Sequence, residues 1–98
     1  MRKEVIMLSK KALEILMWMF DLWQDGKMSG PAFDLDTSIA NSYETHPDVI
    51  ALYELEKAGL VTLIEDEVMK LSWTLSADLT DSGRERAMNL VSTRSHLP

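Results

Sequence analysis

An α+β fold, with helices closing around a two-stranded hairpin, is what the order of signals along this 98-residue chain predicts. Three observations carry it. An apolar stretch with helix signals at both ends occupies residues 9–26, and a second helix signal ends at Gly59 and runs straight into Leu60-Val61-Thr62-Leu63-Ile64. From Met69 to Thr80 apolar and polar residues alternate without a break, and a further helix signal follows at once. A composition of 46% hydrophobic and 27% charged residues suits one soluble globular domain over 1–98.

The first helix is expected over 10–24, with Ser9 as N-cap, Leu8 packing on Leu13 as a hydrophobic staple, and Gly26 as the left-handed residue that ends it. Its apolar residues nearly encircle it. The narrow polar strip is Lys10, Glu14, Asp21 and Asp25, with Trp18 among them and therefore expected to be partly exposed. Residues 1–8 read as a basic N-terminal arm, in which Met7 is an alternative start, and 27–31 as a loop. Asp36 is expected to cap a short helix through Tyr43, with Phe33, Leu35, Ile39 and Tyr43 as core candidates.

Thr45-His46-Pro47-Asp48 marks the start of the next helix, with Thr45 as N-cap, His46 in the first turn, and Pro47 where its missing N–H is harmless. Helical spacing turns Val49, Leu52 and Leu55 inward and Ile50, Tyr53, Glu54 and Lys57 outward. Residues 60–64 read as a strand, Glu65-Asp66-Glu67 as a turn, and the alternating stretch as a long second strand, with Trp73 on its core side. Thr80 or Asp81 caps a last helix to about Val91, and 92–98 is expected to fray.

Leu55-Glu56-Lys57-Ala58-Gly59-Leu60-Val61 and Leu79-Thr80-Asp81-Ser82-Gly83-Arg84, on either side of a hairpin, resemble the winged helix-turn-helix superfamily. The likeness is to small bacterial regulators of the multiple-antibiotic-resistance and phenolic-acid-repressor types, and it covers residues 45–90 best. It implies a winged helix of three to four helices with a two-stranded wing, and transcriptional regulation by a helix placed in the major groove.

The residues depart from that pattern where DNA would be touched. The outward face of the 47–58 helix carries one lysine, Lys57, beside Ile50, Tyr53 and Glu54, and the wing tip carries Glu65, Asp66 and Glu67. Between residues 12 and 83 three basic residues stand against fourteen acids, within a chain of net charge −6, a surface that repels a duplex. A charge run is ordinarily a solvated face, whereas two large side chains beside acids suggest either a protein-binding patch or a face covered by residues 32–44.

The reading that follows is a small acidic binding module acting through protein contacts on a basic partner, of the phage-inhibitor or DNA-charge-mimic kind. Trp18, Ile50, Tyr53, Glu54, Lys57, Glu65, Asp66 and Glu67 are its candidate contacts. The alternative is a homodimeric DNA-binding regulator using Lys57, Arg84, Arg86 and the basic arm.

Enzymatic chemistry finds no support. His46 and His96 are the only histidines, the four glycines are isolated, and Asp34 and Asp36 lack the rest of a calcium loop, so no metal or cofactor is expected. The N-terminal cations precede an apolar run in the manner of a signal peptide, but Glu14 interrupts the run and Asp21 ends it. The run is also far short of the roughly 20 residues a membrane span needs. With no cysteine, a reducing cytoplasm is the expected location.

Overall fold

A computed structural model describes residues 8–26 and 32–95, with side chains as far as Val91. Helix α1 spans Lys10–Gln24, strand β1 Ala32–Asp34, helix α2 Pro47–Lys57, β2 Val61–Ile64, α3 Glu67–Leu71, β3 Thr74–Leu79 and α4 Asp81–Ser95. The described chain is thus α+β, four helices with one antiparallel three-stranded sheet in the order β1-β3-β2. The basic arm to residue 7, the 27–31 loop and residues 96–98 lie outside the described residues.

The caps explain where the long helices begin and end. Ser9 Oγ accepts the Ala12 amide at 3.1 Å, and Gly26 follows α1 at φ +71°. At the end of α2, Gly59 takes φ +78°, and the Gly59 and Leu60 amides donate to Glu56 O and Leu55 O, the paired bonds of a Schellman motif. Thr80 then joins two elements. Its hydroxyl accepts the Gly83 amide at 2.9 Å, capping α4, and donates to Gly59 O at 2.7 Å, while its amide donates to Leu60 O. The two segments that looked like paired markers in the sequence are therefore in direct contact.

One apolar core joins these elements apart from α3, which buries no residue. Leu16, Met19 and Phe20 of α1 and Val49, Leu52 and Leu55 of α2 are buried together with Val61, Leu75, Ala77, Leu79 and Ala87. Along β3 every second residue is buried, and Val61 faces Leu79 across the ladder.

Several expectations are corrected. The twelve-residue strand does not form: 67–71 is helical, and β3 begins only at Thr74. Asp66, expected in a tight turn, is instead the N-cap of α3, accepting the Met69 amide at 2.8 Å. Trp73, expected in the strand, precedes it at φ +54°, a left-handed conformation that bulky residues rarely adopt. No helix forms over 36–43. Asp36 instead caps a turn by accepting the Ser38 amide and hydroxyl, and a 3-10 turn follows at Tyr43–Thr45.

Ile39 is exposed rather than in the core, whereas Leu35 and Tyr43 are buried. Residues 32–34 supply an unforeseen third strand, because Phe33 faces Leu75 of β3. His46, not Thr45, is the N-cap of α2. Helix α4 continues to Ser95, into the stretch expected to fray.

Candidate partner-binding surface

The outward face of α2 is tied to its neighbours by specific bonds. Glu54 accepts the Ser9 amide at 2.6 Å and the Ser9 hydroxyl at 2.9 Å. This carboxylate therefore anchors the start of α1, and Lys11 pairs with Asp48 at 3.0 Å beside it. Such partly exposed pairs contribute at most about 1 kcal/mol each, so they orient the helices more than they stabilise them.

His46 is fully buried at the head of α2. Its Nδ1 accepts the Asp48 amide at 3.1 Å, which leaves Nε2–H as the donor to Asp36 O, also at 3.1 Å. Both ring nitrogens are thereby occupied by the fold, and the ring edge meets Trp73 with centroids 6.0 Å apart.

Glu65, directly after β2, receives two phenols. Tyr43 OH donates to Oε2 at 2.5 Å, and Tyr53 OH lies 3.1 and 3.2 Å from the two carboxylate oxygens. One carboxylate thus joins the 3-10 turn, α2 and the start of the β2–β3 connection. Desolvation first, then the hydrogen bond to Glu65 and its charge, push the Tyr53 phenol up to about 12 and raise that of Tyr43. Tyr53 is half-buried and belongs to this cluster, so it adds little free apolar surface.

The residues that remain open are others. Ile50 is 52% exposed, Lys57 is exposed, and Glu67 lies exposed in the first turn of α3. Beyond them α3 presents Val68, 72% exposed, which sequence reasoning assigned no role, and Leu71, 83% exposed, which the alternation had placed on the core side of a strand. The signal was present in Asp66, whose carboxylate caps a helix with Val68 and Leu71 three apart on one side. Neighbouring Ile64, at the end of β2, is also exposed. Large apolar side chains this open and grouped together are characteristic of binding surfaces.

Trp18 belongs to a separate place. It is 45% exposed on α1, meets Phe33 edge-on at 5.3 Å, and lines a shallow groove of about 430 Å³ with Lys10, Leu13, Glu14, Met17 and Asp21. Trp23 stacks on Phe20 and lies beneath Arg84, which also pairs with Asp81.

Among the described residues no three His, Cys, Asp or Glu side chains cluster in a way that would hold a metal ion. None of the described helices is long and apolar enough to cross a membrane. No family model, curated protein or solved structure matches the chain.

Proposed function

We propose that the chain is an acidic winged-helix binding module that docks a protein with a basic surface through α2 and the β2–β3 connection. The observation that carries this reading is the pair Val68 and Leu71, held out on a capped helical turn beside Glu67. The winged-helix element of it is supported by the strand order β1-β3-β2, with α2 immediately before β2 and the connection of 65–73 in the place of a wing. Acids and apolar groups stand where such folds carry cations. The reading extends to an inhibitor of a nucleic-acid-handling protein, with Glu67 and the acidic body standing in for phosphate charge.

The test is affinity capture from the native host with the wild-type chain beside Val68→Asp and Leu71→Asp. A basic protein retained by the wild type, released steeply by salt and lost with either variant, is the expected result. Retention unchanged by both substitutions would sink the reading. The alternative, a DNA-binding regulator, loses one of its intended contacts because Arg84 is engaged by Asp81 and Trp23. Polarisation with genomic fragments at low salt is expected to show no binding at micromolar protein, and clear binding would favour the regulator instead.

A further inference from the structure

We infer that α1 carries a self-complementary stripe through which two copies of this chain pair antiparallel about a two-fold axis. The stripe consists of Lys10, Leu13, Glu14, Met17, Trp18 and Asp21, the residues that line the shallow groove. On the helix it lies opposite the buried positions Ala12, Ile15, Leu16, Met19 and Phe20, and only its edges touch the rest of the fold, where Met17 packs against the core and Trp18 meets Phe33. Lys10, Glu14, Trp18 and Asp21 are exposed and Leu13 and Met17 half-buried. None of its three charged groups has an ion-pair partner among the described residues.

The identity of the occupant follows from the order of the stripe. A two-fold contact must place residue i against j and j against i. Centred between Ile15 and Leu16, an antiparallel copy sets Lys10 against Asp21 twice along the centre line of the stripe, while the Leu13–Met17 flank meets its own copy and the Glu14–Trp18 flank meets its own copy. The ends then carry opposite charges and the middle carries apolar bulk. A parallel copy would set Lys10 against Lys10 and Asp21 against Asp21.

One contact in the antiparallel arrangement is unfavourable. The two Glu14 side chains approach each other across the axis, and this sets a limit on affinity. From Lys10 to Asp21 the stripe runs about 16 Å along the helix. That is shorter than an interface of roughly 800 Å² per partner requires, so the dimer is weak, with Kd on the order of tens to hundreds of micromolar. This pairing goes beyond the proposed partner surface, since it uses neither α2 nor the β2–β3 connection.

Sedimentation equilibrium over a concentration series tests it. The wild type is expected to dimerise, and Lys10→Glu and Asp21→Lys each to weaken the dimer roughly tenfold. An equimolar mixture of the two variants should form a heterodimer of wild-type strength, because the antiparallel register then offers two opposite-charge pairs. Glu14→Gln should tighten self-association, and Trp18→Ala should weaken it. All four positions are exposed surface sites, and unchanged melting temperatures will confirm that the variants fold. A wild-type chain still monomeric at about 1 mM overturns the proposal. A dimer indifferent to the charge reversals, or variants that fail to rescue one another, overturns it equally by placing the contact elsewhere.

Discussion

Gly83 has the least room of any glycine in the described chain. A Cβ built there would lie 2.0 Å from Leu60 O, against backbone that is already accepting the Thr80 amide and cannot easily retreat. Gly83→Ala is therefore expected to destabilise the fold by about 2–3 kcal/mol, read as a lower urea midpoint at unchanged slope. The phenols on Glu65 give a second prediction. Tyr53 titrates near 12 when folded and near 10 when unfolded, so the folded state holds its proton more tightly. Its contribution is present in full below pH 10 and is lost as pH rises towards about 12. Tyrosinate absorbance and near-ultraviolet dichroism should change together in that window, and Glu65→Gln should bring both tyrosines back towards ordinary titration. Neither effect was legible in the sequence. Gly83 read as part of a degenerate motif and Glu65 as one acid in a charged run, because both roles depend on which distant residues face them.

The elements were legible to unequal degrees, for a physical reason. Helices α1 and α2 carry local stop and start chemistry, with Ser9 capping Ala12 and Gly59 closing a Schellman turn, and their bounds follow from that chemistry. In 65–73 local signals conflict. Met69, Leu71 and Trp73 fit a period of two, while Val68 and Leu71 fit one helical turn, and five residues are too few to decide between them. The cap at Asp66 decides for the helix, and Trp73 then reverses the chain at φ +54° at a cost of about 1–3 kcal/mol. Its amide donates to Lys70 O of α3 and its carbonyl accepts from Leu35, the residue after β1, so these neighbours hold the conformation. Asp66→Ala should release α3, lowering stability by about 1 kcal/mol and speeding amide exchange at Met69 and Lys70 while α2 is unaffected. Strand β1 escaped detection because three residues, exposed at both ends, leave no periodicity to read.

At the scale of the whole molecule, charge and apolar exposure are divided between two surfaces. The first is the outer side of α2 with the β2–β3 connection, where Glu65, Asp66 and Glu67 precede the exposed Val68 and Leu71, with Lys70 between the two. The second is the α1 stripe, whose charges are mixed, with Lys10 at one end and Asp21 at the other. Acidity alone was evident from composition, but this division was not, since it depends on Tyr53, Glu54 and Glu65 being used within the fold. The order β1-β3-β2 has a bearing on how the chain is made. The middle strand of the sheet is the last to leave the ribosome, and Ala32 waits for Ser76, as Val61 waits for Leu79. Until β3 emerges the earlier strands have no partner in this sheet, and the apolar sides of α1 and α2 lack one wall of their core. Nascent chains ending before Thr74 should therefore remain protease-sensitive, and folding should appear as a single late step once α4 has cleared the exit tunnel.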